Sequence, residues 1–248
     1  MKNVKFYALI LLLAAAVSCK KEDGSSSLKI KGNVSNDEAA DMVAASMSSN
    51  FNGVAGVSGD ITVSAQAFVN VHLACGATKT DSVSRSYNGS QVSYNYKLKY
   101  SYTLNCNYNN VPDNVSSNLT YSGSYDGPRI SSSNSGSSSF TVAGLASDAT
   151  NFGITGEYKR DGSFKSKVDT TNNGSSHIDI NVQSLVVTKI AHKIASGSAT
   201  FTITGNVPKK GDFSFTGSII FNGDGTAKLT VNGTVYIVNL ETGEKTRK

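Results

Sequence analysis

Tryptophan is absent from this chain of 248 residues, and proline, cysteine, methionine and histidine occur only 3 times each. So few Cys and His, with no CxxC or HxxxH among them, exclude a zinc site of the usual ligand spacing, and no metal ligand set is assigned. Total lack of Trp removes the large flat ring that supplies most contact in carbohydrate sites. Lys and Arg never run longer than two in succession. The continuous basic footprint that phosphate backbones require is therefore missing, and no nucleic-acid partner is expected. Also missing are a GxSxG elbow, a GxxxxGK[ST] loop and an HExxH helix, so no enzyme activity, catalytic residue or cofactor is expected. Asp60, Asp81, Glu157, Asp161, Asp169 and Asp179 read mostly as ends or turns, with no pair spaced as acid and base. On their strand parities His72 and His177 fall opposite the apolar side chains, on the solvated face, and the third histidine is His192.

No apolar run is long enough to span a bilayer. The longest, Phe6 to Val17, covers roughly 18 Å as a helix against a hydrocarbon core of about 30 Å. Lys2 and Lys5 precede it, and small residues Ala16 and Ser18 follow. A positive region, a short apolar region and small residues make residues 1–18 a cleavable signal peptide, which is left out of fold reasoning. Ala16-Val17-Ser18-Cys19 resembles the lipobox of bacterial lipoproteins. The resemblance covers the leader alone. It implies that Cys19 becomes the new N-terminus, with a thioether-linked diacylglyceride and an amide-linked acyl chain such as palmitate. Several chains at about 0.8 kcal/mol per buried CH₂ hold a protein on a membrane durably, which makes the membrane itself a partner.

Residues 19–34 read as the lipidated N-terminus and its tether. Lys20-Lys21-Glu22-Asp23 precedes Gly24-Ser25-Ser26-Ser27, a polar stretch unable to bury apolar area. The charged tetrad resembles the export tag with which some Gram-negative bacteria send lipoproteins to the cell surface. The expected location is thus the outer membrane, facing outward, with the periplasmic face as the alternative. Loss of Lys2 and Lys5 from 23 basic residues, against 18 acidic ones, leaves the mature chain at +3.

Residues 35–248 are enough for one sizeable core. Hydrophobic content is only 38%, alongside 23 Gly. This points to long strands with one solvated face. A short helix comes first, over about 36–49: Ser35 and Glu38 have capping-box spacing, and Ala39, Met42, Val43 and Met47 form a stripe. From Asp60 the period changes to two. Ile61, Val63, Ala65, Ala67, Val69, Val71, Leu73 and Cys75 share one parity and predict a long strand. A second strand carries Tyr94, Tyr96, Leu98, Tyr100, Tyr102, Leu104 and Cys106 on one face. The ladder Tyr94, Tyr96, Tyr100 and Tyr102 reads as core packing, with a stacking wall for a sugar or lipid as the alternative.

Cys75 and Cys106 close both predicted strands on the apolar parity, and export permits oxidation. A disulfide between them is the economical reading; two buried thiols satisfy the same parity. For a loop of about 30 residues it would contribute roughly 3–4 kcal/mol.

The pattern apolar-x-apolar-x-Gly recurs at Leu119-Tyr121-Gly123, Phe140-Val142-Gly144, Phe152-Ile154-Gly156, Phe201-Ile203-Gly205, Phe213-Phe215-Gly217 and Leu229-Val231-Gly233. Glycine on an inner face lets a sheet bend and leaves a gap for a neighbouring aromatic. Asn232-Gly233 also has type I′ hairpin composition, but the parity through Val235 and Ile237 favours a continuous strand there. Turn signals stand at Asn88-Gly89, Asp126-Gly127-Pro128, Asp161-Gly162, Asn173-Gly174 and Asp224-Gly225, and Ser131 to Ser139 reads as a mobile loop. The expected fold is all-β: a single curved antiparallel meander, half-barrel or barrel-like, of about nine to eleven strands by this punctuation.

Weaker signals complete the reading. Asn222-Gly223-Asp224-Gly225-Thr226 has oxygens for calcium, although a hairpin needs the same residues. Asp81-Ser82-Val83 and Asp169-Thr170-Thr171 resemble acceptor sites for O-linked glycans in exported bacterial proteins. The expected function is a non-enzymatic, lipid-anchored structural or binding module with an unidentified extracellular or amphiphilic ligand. A helix in the mouth of a glycine-bent half-barrel resembles, in architecture alone, periplasmic carriers of lipoproteins and other amphiphiles. That alternative requires an apolar cavity of several hundred Å³.

Overall fold

The computed structural model describes residues 34–248. The signal peptide, Cys19 and the tether lie outside the described residues, except that Val34, counted with the tether, is already buried in the core. Two helices, α1 (Asn36–Met47) and α2 (Val54–Asn70), precede eleven strands: β1 (Thr78–Asn88), β2 (Ser93–Cys106), β3 (Pro112–Asp126), β4 (Ile130–Ala143), β5 (Asn151–Ser166), β6 (Asn173–Thr188), β7 (Ile194–Val207), β8 (Gly211–Phe221), β9 (Thr226–Val231), β10 (Thr234–Asn239) and β11 (Lys245–Arg247). Each strand pairs with the next, so a single open sheet runs in chain order with β1 and β11 as its edges. The all-β meander stands, with a second helix that the sequence pattern did not suggest.

Width decides the shape. Eleven strands about 4.8 Å apart would span roughly 50 Å if flat, whereas two helices about 10 Å thick cover less than half of that. Yet one continuous core takes side chains from α1, α2 and β2 to β10. The sheet therefore curls around the helices, α1 lying against β9, β10 and β11 and α2 against β3 to β6. Consistently, α1 is buried on every side from Glu38 to Met47, and most of those residues are small. Its N-terminus has the expected capping box: Ser35 Oγ accepts from the Glu38 N–H at 3.2 Å, and Glu38 Oε2 accepts from the Ser35 N–H at 3.1 Å.

Glycine shapes the bend by close approach. Gly123 stands opposite Tyr96, Gly156 opposite Phe140, and Gly205 and Gly217 opposite Phe213 and Phe201. A Cβ at Gly217 would meet Phe201 Cε1 at 2.6 Å as well as the Thr230 carbonyl oxygen. Register shifts near Cys106, Gly156 and Ser184 add further local twist.

Several expectations are corrected. The strand expected from Ile61 to Cys75 is α2 and the turn after it. Val54, Val57, Ser58, Ile61, Thr62, Ala65 and Phe68 are its buried residues, at helical spacing, and Val63 is 52% exposed. Tertiary packing overrides the β-propensity of Ile, Thr and Val here. Ser131 to Ser139 is strand β4, not a loop, because β3 and β5 supply ladder partners on both sides. Its inward Ser132, Asn134, Gly136 and Ser138 leave room for Tyr121 of β3, for Tyr158 and Arg160 of β5, and for Tyr96 of β2, one strand further away. Asp161-Gly162 lies within β5 and Asn173-Gly174 opens β6; neither is a turn. Conversely Asn232 (φ 44°) and Gly233 (φ 83°) are the left-handed pair of a two-residue hairpin turn, not a continuing strand. Gly144 (φ 85°) likewise ends β4.

Candidate functional site

The tyrosine ladder faces inward and is core. Tyr96, Tyr100 and Tyr102 are buried, Tyr100 and Tyr102 stack at 5.4 Å, and the Tyr100 hydroxyl donates to Asp60 on α2. Burial pushes the Tyr102 phenol up to about 12 and the Tyr100 phenol higher still. No tyrosinate is available near neutrality. Tyr94 alone reaches the rim, where it stacks with the half-exposed Tyr87 at 5.8 Å.

Beside the ladder lies a buried polar cluster that sequence reasoning missed. Arg160 is 3% exposed. Its Nη2 donates to the Phe51 carbonyl at 2.6 Å and the Tyr158 hydroxyl at 2.7 Å, and its Nε reaches the Tyr121 hydroxyl at 3.3 Å. The Tyr158 hydroxyl donates to the Asn52 carbonyl at 2.9 Å. Among the described residues no carboxylate pairs with this guanidinium; two aromatic faces, 5.9 and 5.7 Å away, share its charge. The arrangement fastens the α1–α2 turn to β5. Parity was the available signal, since Arg160 falls in step with Phe152, Ile154, Tyr158 and Phe164 on the inner face.

A second cluster lies where α1 meets the β3–β4 turn and β11. Asp41 on α1 accepts from Arg129 Nε at 3.0 Å and Lys245 Nζ at 3.1 Å, joining the β3–β4 turn to β11. Burial raises the Asp41 carboxyl, and the two cations oppose that rise without cancelling it. Next to it is a cleft of about 300 Å³ walled by Ala45, Phe51, Tyr125 and Ile130, with Arg129, 46% exposed, at its mouth. Its charged rim is balanced, because Asp41 and Glu244 line the cleft along with Arg129 and Lys245, and both cations are paired with Asp41. Two of the larger hollows are open and of mixed polar and apolar lining. One, of 680 Å³, crosses β1 to β5 over Ser86, Asn95, Ser124 and Ser133; the other, of 770 Å³, lies among loops at the opposite end, beside His192 and Asp224.

On the outer face His177 sits between Asp161, at 2.5 Å, and Asp179, at 2.9 Å. Its imidazole is held above the ordinary value, chiefly by the Asp161 hydrogen bond. The spacing argument overlooked this carboxylate–imidazole–carboxylate trio because cross-strand register, not sequence distance, brings Asp161 opposite His177. Glu157, Asp161 and Asp179 lie within strands, Asp81 within β1 and Asp60 within α2, against the expectation of ends and turns. His72 is in the turn after α2 at φ 51°, and His192 Nδ1 meets Thr62 Oγ1 at 3.1 Å. Among the described residues no group of three or more His, Cys, Asp or Glu is placed to hold a metal, and no helix is long and apolar enough to cross a membrane.

Cys75 and Cys106 form a disulfide with Cα atoms 5.6 Å apart. Cys75 lies in the connection from α2 to β1, so the bond clamps that connection to the end of β2. Asp224 Oδ1 accepts from the Thr226 N–H at 2.9 Å and from its hydroxyl, which commits it to the hairpin turn. Ser82 and Thr170, in the two glycan-like triplets, are exposed.

No family model, curated protein or solved structure matches the chain.

Proposed function

We propose that this is a non-enzymatic lipoprotein of the cell envelope, anchored in the outer membrane through lipid on Cys19, with the curled sheet outward as a structural or binding module. The observation that carries the reading is Ala16-Val17-Ser18-Cys19 after a short apolar leader. A disulfide between Cys75 and Cys106 supports it, because such bonds persist in exported proteins. Lys20-Lys21-Glu22-Asp23 supports surface exposure over the periplasmic face. Proteinase added to intact cells is expected to digest the protein. Full protection until the outer membrane is broken would place it on the periplasmic face.

A second reading, carriage of an amphiphile, draws on the cleft beside Asp41 with its apolar walls. Against it, α1 and α2 already occupy the concave face that such a carrier leaves for cargo. Native mass spectrometry of gently extracted protein discriminates the two: a non-covalently bound lipid or other amphiphile in stoichiometric amount favours carriage, and its absence favours the module.

A further inference from the structure

The two edges of the sheet are unequal. Edge strand β11 has three residues, whereas β1 has eleven, contains no proline and pairs with β2 without a register shift. A long regular edge is a template for another strand. Its free groups can be assigned by parity. The Leu104 N–H donates to the Ala77 carbonyl and the Gly89 N–H to the Val92 carbonyl, so odd-numbered residues of β1 bond to β2. Even-numbered residues turn their N–H and C=O groups to the open side. In keeping with this, the Ser82 N–H is taken by its neighbour's carboxylate, Asp81 Oδ1, at 2.8 Å.

Side chains then select the partner. Outward from β1 stand only Thr78, Thr80, Ser82, Ser84, Ser86 and Asn88. The inner side carries Lys79, Asp81, Val83, Arg85 and Tyr87, and Arg85 also bridges to Asp60 at 2.5 Å. Charges on an edge discourage indiscriminate pairing. Turned antiparallel about Val83, however, this strand complements itself. Asp81 falls opposite Arg85 of a second copy, Lys79 opposite the half-exposed Tyr87 ring, Val83 opposite Val83, and small hydroxyl or amide side chains face one another on the other side. This register also places even-numbered residues opposite even-numbered ones, as hydrogen bonding across the open side requires.

We infer that two copies of this chain pair through β1 in antiparallel register with Val83 on the two-fold axis, so that both sheets become one. The interface is isologous. It recruits Asp81 away from the Ser82 N–H and adds its carboxylate to Arg85 of the second copy.

Cysteine cross-linking of the purified full chain reads the register directly. Directly opposed residues in a non-hydrogen-bonded antiparallel pair have Cα atoms about 4.5 Å apart, within disulfide range. Val83→Cys is therefore expected to form a covalent dimer on mild oxidation at least tenfold faster than Thr80→Cys, whose mate in the second copy lies roughly 20 Å along the strand. Asp81→Arg places like charges opposite each other, and Ser84→Pro removes an N–H on the open side while leaving the bonds to β2 intact; each should weaken dimerisation at least tenfold in sedimentation equilibrium. Equal cross-linking at positions 83 and 80, or a wild-type chain that sediments as a monomer at every concentration, would overturn the inference, and the monomer would leave the edge to a foreign strand.

Discussion

Arg160 on β5 reaches the main-chain carbonyl of Phe51, 109 residues earlier, at 2.6 Å, both groups being buried. One cation thereby joins the middle of the sheet to the turn between the helices. Arg160→Ala should destabilise the fold by about 3 kcal/mol, since hydrogen bonds from a charged group contribute roughly 1.5–3 kcal/mol each and the buried Phe51 carbonyl loses this donor, while the Tyr158 hydroxyl keeps only the one from Tyr121. Lysine lacks the planar fork that reaches carbonyl and hydroxyls together, so Arg160→Lys should recover less than half of the loss. Urea denaturation with matched slopes measures both; a change within 0.5 kcal/mol for alanine would show the contact to be incidental.

Glycine at position 217 is demanded by its neighbours and glycine at 153 is not. The added Cβ would collide with Phe201 and the Thr230 carbonyl in the first case and meet nothing within 4 Å in the second. Gly217→Ala is expected to cost about 2 kcal/mol or more, whereas Gly153→Ala should stay within about 0.5 kcal/mol. Similar losses at both sites would mean that glycine serves the chain only through its backbone entropy.

Removal of both cysteines of the Cys75–Cys106 bond, as Cys75→Ala/Cys106→Ala, should lower stability by roughly 3–4 kcal/mol, the chain-entropy value for a loop of this length. The full chain isolated without reductant should also migrate faster on a non-reducing gel than after reduction. Identical migration would show the two thiols to be free.

The His177 imidazole is raised above 6.5 by hydrogen bonds to Asp161 and Asp179. A raised folded-state value means that this pairing contributes fully below the unfolded value of about 6.5 and is lost as pH climbs through the raised value. The stability advantage of wild type over His177→Gln should accordingly shrink above pH 6.5. Because the ring is 43% exposed, the effect is small. NMR titration should show the ring titrating above 6.5 in wild type and lower in Asp161→Asn; coincident titrations would contradict the assignment.

How much of this was legible follows from which period each segment displays. Strand β2 alternates without interruption from Tyr94 to Leu104, and its inner face is where parity placed it. In α2 two periods compete: Ile61, Val63, Ala65 and Ala67 alternate, while Val57, Ile61, Ala65 and Phe68 repeat helically, and only the groove inside the curled sheet decides between them. Strand β4 hides for the opposite reason. Its inward Ser132, Gly136 and Ser138 are complementary to large residues on other strands, information that Ser131 to Ser139 does not contain. The Arg160 cluster was half legible, because its inner parity could be read, whereas the Phe51 carbonyl it meets required the helices to be placed. Cross-strand register hid the His177 trio in the same way.

The central claim is a covalent one, and the Cys19 side chain tests it most directly. Cells expressing the wild-type chain should incorporate labelled palmitate into the protein, and it should sediment with the outer membrane at the mass expected for cleavage before Cys19. Cys19→Ser should lose the label, keep the unprocessed leader and leave the processed membrane form absent. A Cys19→Ser product that still reaches the outer membrane at the processed mass would contradict the account.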